Sequence, residues 1–223
     1  MRCFPSSSKQ AIPSSIGIQI LPNALSLPAK RNRIGLFGGS FDPPHLGHLT
    51  LAQDAYEGLD LESVWFIPTY LSPHKEAYNA SPEDRMKMVE LMLADDHRFK
   101  CCPIEVESGA PQYSVTTVEV LRQRHPDTDF FWLLGADQLK TLPKWKNVRK
   151  LASMATPVVF NRPGYPAAIP AEMSDLGIIQ VEIHEVMISS SEIRDRMMKG
   201  LPVYMFLHPA VNHHIEKQHY YTK

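Results

Sequence analysis

From residue 33 onward the sequence alternates between short apolar runs and helical stretches, and this alternation restricts the fold more than any other feature. The runs are rich in the β-branched and aromatic residues that favour strands; they are RIGLF, SVWFIP, DFFWLL, TPVVF and IIQVEI. The stretches between and after them are LGHLTLAQDAYEG, SPEDRMKMVELMLAD, SVTTVEVLRQRH, KWKNVRKLA and SSEIRDRMMKG. Strands that alternate with helices indicate βαβ units. The sequence therefore predicts an α/β fold with a mostly parallel sheet and helices on both faces.

Local signals place two of the helix ends. Ser81 precedes Pro82, Glu83 and Asp84, which puts a capping hydroxyl, a first-turn proline and two acids at the positive end of a helix. Gly200, followed closely by Pro202, indicates the end of the last of these helices.

Residues 1–32 differ in composition from the rest of the chain. They are rich in Ser and Pro, contain no Asp or Glu, and their apolar run IGIQIL ends at Pro22. Such a segment has no pattern that could bury a core face, so we expect a disordered N-terminal extension or a start codon placed too early. A transit peptide, also rich in Ser and poor in acids, is the alternative. Residues 33–223 are then expected to form one domain.

Charge and cysteine content exclude several classes of protein. The formal net charge is −1, so no strong field would draw the chain onto nucleic acid or a membrane surface. No apolar run is long enough to span a bilayer. The three cysteines, Cys3, Cys101 and Cys102, form neither a disulfide framework nor a zinc spacing. We therefore expect a cytoplasmic protein with no nucleic-acid or membrane partner, and a homo-oligomer stays open.

The segment GGSFDPPHLGH, which follows the first strand, has the features of a phosphate site. Gly38 and Gly39 let the backbone turn sharply and approach a ligand closely. The helix that follows directs its first N–H groups and its positive dipole end toward that turn. His45 and His48 are three residues apart, so they share one helical face beside it. The simpler alternative to a phosphate site is that one of the histidines only caps the helix or packs locally. A metal site is a second alternative, but no third ligand lies nearby in the sequence.

The segment ISSSEIRDRM indicates a second helix start at a strand end. Ser189 is the expected N-cap, and Glu192 lies three residues on, as in a capping box. A well-capped helix explains this pattern by itself. The functional interpretation adds Arg194, whose guanidinium grips phosphate oxygens with fixed geometry.

GGSFDPPHLGH resembles the HxGH signature of the nucleotidyltransferase superfamily of adenylyl- and cytidylyltransferases. Further segments follow in the order seen in bacterial nicotinate mononucleotide adenylyltransferases; they are IPTYLSPHK, YSVTTVEVL, LLGADQLKTLPKW, FNRPG and ISSSEIR. The resemblance covers about residues 33–215. Departures are small: Ser40 and Ser191 stand where Thr is common, Pro44 where Ile is common, and Ser72 where Pro is common.

The resemblance implies a Rossmann-like nucleotidyltransferase fold and a set of site residues. The groups implied to offset phosphate charge in catalysis are His45, His48, Lys75 and Arg194. Those implied to bind ATP are Gly38, Gly39, Ser40, Phe41, His48, Gly135, Asp137, Ser189, Ser191 and Arg194. Those implied to bind the acceptor are Thr117, Trp145 and Arg162. Trp145 is expected to stack on the pyridine ring, and Thr117 to lie beside its carboxylate.

The implied reaction is transfer of AMP from ATP to nicotinate mononucleotide, in the synthesis of NAD, by direct attack on the α-phosphorus. The attacking phosphate is already an anion, so positioning and charge stabilisation suffice. We expect Mg²⁺ to arrive with ATP and no separate protein metal site. Nicotinamide mononucleotide stays open as acceptor, whereas phosphopantetheine enzymes usually carry Thr in place of His45. A non-catalytic nucleotide sensor would not need the cations for the leaving group, and a nucleic-acid-binding protein lacks a basic stripe here.

Overall fold

A computed structural model describes residues 32–71, 78–161, 168–184 and 186–222, excluding the side chains of Asp137 and Asn161. Six parallel strands form one sheet in the order β3-β2-β1-β4-β5-β6. The strands are β1 (Asn32–Gly39), β2 (Ser63–Pro68), β3 (Phe99–Cys101), β4 (Thr128–Gly135), β5 (Ala155–Asn161) and β6 (Ile179–Glu182). The predicted α/β fold with a parallel sheet is confirmed, and all five predicted strands are present.

Seven α-helices are described in these ranges. They are α1 (Leu46–Gly58), α2 (Pro82–Leu93), α3 (Ile104–Glu107), α4 (Ser114–Arg124), α5 (Val148–Met154), α6 (Ser190–Met198) and α7 (Pro209–Gln218). Short 3₁₀ turns cover Ala136–Gln138, Leu142–Lys144 and Ala171–Leu176. None of the helices within the described residues is long and apolar enough to cross a membrane.

Two apolar clusters pack against opposite faces of the sheet. On β1, Leu36 points into one cluster and Phe37 into the other, and on β4 the same alternation separates Trp132 from Phe131. Successive side chains of a strand point to opposite faces, so both faces must be covered by helices. This is the layered arrangement that the alternation of elements predicts.

The predicted helix caps are confirmed. The Ser81 hydroxyl accepts a hydrogen bond from the backbone N–H of Asp84 at 3.1 Å. The Ser189 hydroxyl accepts from the N–H of Glu192 at 3.2 Å. A capping hydroxyl satisfies a helical donor that has no partner within the helix, so these contacts fix where α2 and α6 begin.

The order of the strands places a binding site. From β1 the chain proceeds to β2 and β3 on one side, then returns to the other side of β1 to form β4, β5 and β6. The connections leaving the carboxyl ends of β1 and β4 therefore diverge to opposite sides. In open parallel sheets, ligands bind at the crevice that this divergence creates.

Candidate active site

A cleft of about 840 Å³ opens at the carboxyl ends of β1 and β4. Its volume is in the range of pockets that bind small molecules. Eight of the residues implied by the sequence line it: Gly38, Gly39, Ser40, Phe41, His45, His48, Gly135 and Trp145. We call the segment GGSFDPPHLGH, residues 38–48, the signature turn. The structure brings its side chains together with those of the segment after β4, which is about ninety residues further along the chain.

The signature turn after β1 needs glycine for steric reasons. A Cβ on Gly39 would lie 2.9 Å from Cζ of Phe41, which is closer than real Cβ contacts. Phe41 has φ 49° in the left-handed region, where a bulky residue is rare. Its ring is 1% exposed and makes an edge contact with the ring of His48 at 5.0 Å between centroids. Packing of this ring therefore holds the strained backbone in place.

We expect Gly39→Ala to lower activity at least tenfold and the free energy of unfolding by about 2 kcal/mol, because the added methyl group overpacks against the Phe41 ring. Pyrophosphate release and urea denaturation measure the two effects. The matched control is Gly177→Ala: a Cβ there meets nothing within 4 Å, although φ is 63°. Gly177→Ala should therefore lower the free energy of unfolding only through backbone strain, and it should leave the activity intact. Full activity in Gly39→Ala would contradict the tight turn.

The two histidines lie together at the start of α1. Their rings are stacked with centroids 3.7 Å apart and planes inclined by 30°. His45 is 5% exposed and is the N-cap of α1, so it lies just before the helix rather than within its first turn. The backbone N–H of His45 donates to Nδ1 of His48 at 3.1 Å. A neutral His48 ring that accepts at Nδ1 carries its proton on Nε2, which makes Nε2–H a hydrogen-bond donor.

One of the backbone N–H groups at the start of α1 already has a hydrogen-bond partner within the protein. The N–H of Leu46, one of the first N–H groups of the helix, donates to the carbonyl of Phe206 at 2.9 Å. Gly47 follows directly, and a Cβ there would lie 3.0 Å from Nδ1 of His45. The His45 ring therefore lies over a position that must lack a side chain, which explains the glycine of the signature.

The buried carboxylate of Asp42 connects the signature turn to other segments of the chain through hydrogen bonds. Asp42 is 2% exposed, and its carboxylate accepts from the N–H groups of Asn79 at 2.9 Å and Ala80 at 3.2 Å. It also accepts from the hydroxyl of Tyr221 at 2.7 Å. A carboxylate that is held by this many donors is fixed in orientation. The sequence interpretation did not assign Asp42 a role.

The N-terminus of α6 docks on the same turn. Ser190 donates to the carbonyl of Pro43 at 2.8 Å, and Nη1 of Arg194 donates to the carbonyl of Asp42 at 2.7 Å. Nη2 of Arg194 donates to the hydroxyl of Ser191 at 3.2 Å. The two predicted phosphate-binding helix starts are thus connected through the signature turn. Binding of phosphate by Ser189, Ser191 and Arg194 stays a prediction.

Arg85 is a fully buried cation beneath the site. Its guanidinium donates to the carbonyls of Ser40 at 2.6 Å, Thr69 at 2.7 Å, Tyr70 at 2.9 Å and Ala80 at 3.3 Å. Burial lowers its pKa from the usual value, but an arginine stays charged in a protein. It therefore joins the signature turn to the segment that follows β2. No sequence signal separates it from the other charged residues of α2.

The other end of the cleft is formed by the segment after β4 and the start of α4. Trp145 is half-buried there and packs on the core. Nζ of Lys146 lies 4.3 Å from the ring centroid of Tyr113, and both residues line the cleft. The sequence interpretation missed Tyr113 and Lys146, because an exposed Lys and a Tyr before a helix have no distinctive spacing.

Thr117 lies behind this end of the cleft. It is 2% exposed, and its hydroxyl donates to Oε1 of Glu105 at 2.7 Å. Glu105 is 5% exposed and lines the cleft, whereas Thr117 is not among the lining residues. The hydroxyl that was expected to face an acceptor carboxylate is thus bonded to a buried carboxyl group.

On the wall formed by the segment after β6, His184 is tied to a buried acid. Its backbone N–H donates to Oδ2 of Asp54 at 2.8 Å, and its Nδ1 contacts Oδ1 at 2.7 Å. Asp54 is 1% exposed on α1, and the hydrogen bond to it raises the pKa of His184. This pairing fixes the segment that precedes α6 against α1.

Three of the implied positions lie outside what the structure describes. Lys75 and Arg162 fall outside the described residues, and so does the side chain of Asp137. Their assignment to the phosphate, acceptor and ribose sides of the cleft rests on the sequence resemblance.

A parallel sheet, a glycine turn at its switch point and paired histidines at a helix start define a nucleotidyltransferase. The cytidylyltransferase-like family model matches residues 36–196. A relative from Shouchella clausii (strain KSM-K16), described as a "probable nicotinate-nucleotide adenylyltransferase", is 44% identical over 190 residues, which are 85% of this chain and 96% of the relative. A relative of the same description from Bacillus cytotoxicus is 40% identical over 85% of this chain and 98% of its own length. The chain belongs to the cytidylyltransferase-like family and, within it, to the nicotinate-nucleotide adenylyltransferases.

Solved structures share the fold. Plasmodium falciparum nicotinic acid mononucleotide adenylyltransferase complexed with NaAD has a TM-score of 0.71 at 19% identity, over 85% of this chain and 97% of that one. The same enzyme complexed with APC has a TM-score of 0.67 at 20% identity, with the same coverage of both chains. At this identity the likeness concerns the fold.

Proposed function

We propose that this enzyme transfers the AMP unit of ATP to nicotinate mononucleotide, giving nicotinate adenine dinucleotide and pyrophosphate for NAD biosynthesis. The observation that carries the proposal is the stacked pair of His45 and His48 at one end of the cleft, with Trp145 lining the other. The relatives' names agree with this reaction. We also propose that the enzyme acts in the cytoplasm.

The reaction is an in-line exchange of two oxygens on the α-phosphorus of ATP. An oxygen of the acceptor's 5′-phosphate forms the new P–O bond while the bond to the β-phosphate oxygen breaks, and pyrophosphate leaves with that electron pair. The nucleophile is anionic, so no general base is required. The role of the protein is to hold both phosphates in line and to stabilise the charge that develops.

His48 contributes a donor whose direction is fixed. Its Nδ1 accepts from the backbone N–H of His45, so a neutral ring carries its proton on Nε2, the nitrogen that we propose donates to phosphate oxygens. Ring contacts with Phe41 and His45 hold the imidazole before substrate binds. A donor that is positioned in advance stabilises the transition state without a cost of reorganisation.

Mg²⁺ is proposed to enter with ATP. Within the described ranges no group of three or more His, Cys, Asp or Glu side chains could hold a metal ion, and the carboxylate of Asp42 is already bonded to Asn79, Ala80 and Tyr221. The triphosphate and water are therefore the expected ligands, which suits an ion that keeps much of its hydration. When bound, Mg²⁺ offsets charge on the phosphates.

Pyrophosphate release with ATP and a panel of mononucleotides tests the reaction. We expect nicotinate mononucleotide to be used with a kcat/KM at least about tenfold above that of its nicotinamide analogue, because a pocket that pairs the carboxylate mispairs the amide. Release with neither acceptor would contradict the proposed function and favour a nucleotide sensor. Equal use of both would remove only the nicotinate assignment.

Trp145→Ala should lower kcat/KM about fivefold to tenfold for both acceptors, because ring stacking contributes about 1 kcal/mol and does not distinguish the ring substituent. Trp145→Phe keeps an aromatic face and should recover most of the loss. An effect on one acceptor alone, measured in the same assay, would show that Trp145 does not stack on the shared ring.

A further inference from the structure

Glu105 is a buried carboxyl group at the acceptor end of the cleft. It lies on α3 and is 5% exposed, and it lines the cleft together with Tyr113, Trp145 and Lys146. Thr117 of α4 donates to its Oε1 at 2.7 Å, which leaves Oε2 without a hydrogen bond to any described residue. A carboxyl group that lines the cleft can contact a ligand bound there.

No ion pair compensates this carboxyl within the described part of the chain. The titratable groups on the surrounding elements include Cys102 after β3, Glu107 on α3, Glu90 on α2, Arg124 on α4, and Tyr113, Lys144 and Lys146 around the cleft. The pKa of Glu105 is raised by burial and lowered in part by the Thr117 hydrogen bond, and burial raises the pKa of Cys102, so that thiol is neutral. Burial of an uncompensated carboxyl favours its neutral form.

We propose that Glu105 determines the choice of acceptor through its protonation state: the neutral acid favours the anionic ring of nicotinate mononucleotide, and the carboxylate favours the neutral amide analogue. This rests on the proposed function. The neutral form donates its O–H to the ring carboxylate. The ionised form repels that carboxylate and accepts from the NH₂ of an amide. Thr117 is then a positioning residue that holds the carboxyl in place.

The sign of the pH dependence follows from the direction of the shift. Burial raises the pKa of Glu105 to about 7, and the Thr117 hydrogen bond opposes this in part. Below this pKa the carboxyl is neutral, and the preference for nicotinate mononucleotide is complete. As pH rises through it, the preference is lost. The switch therefore falls within the range in which the enzyme can be assayed.

The test measures kcat/KM for both acceptors between pH 6 and pH 8.5 and follows their ratio. Both acceptors carry the same 5′-phosphate and share ATP, so titration of those groups cancels in the ratio. We expect the wild-type ratio of nicotinate to nicotinamide substrate to fall at least about tenfold across this range, because a charge-assisted hydrogen bond is exchanged for repulsion. In Glu105→Gln, whose amide donates but does not titrate, the ratio should change less than about twofold.

Glu107→Gln is the matched control, since Glu107 is an exposed acid on the same helix, and it should follow the wild-type profile. If Glu105→Gln fails to fold by circular dichroism, Thr117→Val replaces it. Loss of the hydrogen bond that lowers the pKa should move the midpoint of the ratio to higher pH. A wild-type ratio that is constant with pH, or a titration retained in Glu105→Gln, would overturn the role of Glu105 while leaving the proposed function intact. Absence of pyrophosphate release with both acceptors would overturn the proposed function instead.

Discussion

His48→Ala is expected to lower kcat at least about 100-fold, the scale for removal of one preorganised donor to a developing charge. The reason is geometric: Nδ1 of His48 accepts from the backbone N–H of His45, which fixes the ring and places the proton of a neutral imidazole on Nε2, the proposed donor to the phosphate. KM for ATP should change far less, because a transition-state contact is lost rather than a ground-state one. Steady-state pyrophosphate release at saturating substrates measures both constants.

The control for His48→Ala is His213→Ala, an exposed histidine on α7 that should retain wild-type rates. His48→Gln is a more conservative substitution, for which an intermediate kcat is expected. Its amide can still donate, and part of the rate should return if donation is the function of His48. Wild-type turnover in His48→Ala would exclude a catalytic role. A large rise in KM with unchanged kcat would reassign it to substrate binding.

The elements that sequence reasoning placed correctly are those with a strong local pattern. The first helical stretch and α1 have the same bounds, and the caps Ser81 and Ser189 fixed the starts of two more helices. β3 was missed because its three residues, FKC, form no apolar run. α7 was missed because its N-cap is His208, whose Nδ1 accepts from the N–H of Ala210 at 3.3 Å, and His is not a usual capping residue.

One predicted helix began too early. The sequence predicts one continuous helix over the stretch KWKNVRKLA. In the structure Asn147 has φ 51°, so a 3₁₀ turn ends before it and α5 begins at Val148. The break leaves Trp145 and Lys146 in an irregular segment that lines the cleft. An asparagine tolerates the left-handed region, but the tertiary contacts that require it there are not encoded in the local pattern.

The sequence predicts the parts of the site that lie within one motif. It does not predict the parts that are formed by segments distant from one another in sequence. The glycines and histidines of the signature turn are adjacent in sequence, so their joint position in the cleft was foreseeable. The contact of Thr117 with Glu105 joins two helices, and the contact of Asp42 with Tyr221 joins the first strand's turn to the end of the chain. Such pairs are fixed by packing, which a single sequence does not display.

Arg85→Met should lower the free energy of unfolding by at least about 3 kcal/mol, one of the largest effects expected of any substitution in this enzyme. Four carbonyls, those of Ser40, Thr69, Tyr70 and Ala80, accept from the Arg85 guanidinium. Methionine fills a similar volume but donates nothing, and each buried polar group left unpaired costs about 1–3 kcal/mol. Urea denaturation monitored by circular dichroism measures the change.

Two further variants separate geometry from charge. Arg149→Met removes an exposed arginine that pairs with Asp175, and such pairs contribute at most about 1 kcal/mol. Arg85→Lys keeps the positive charge but replaces the planar fork with three donors on one atom, which cannot reach four carbonyls in different directions. It should therefore recover only a minor part of the lost stability. If Arg85→Met matched Arg149→Met, the buried guanidinium would not be what joins the signature turn to the segment after β2.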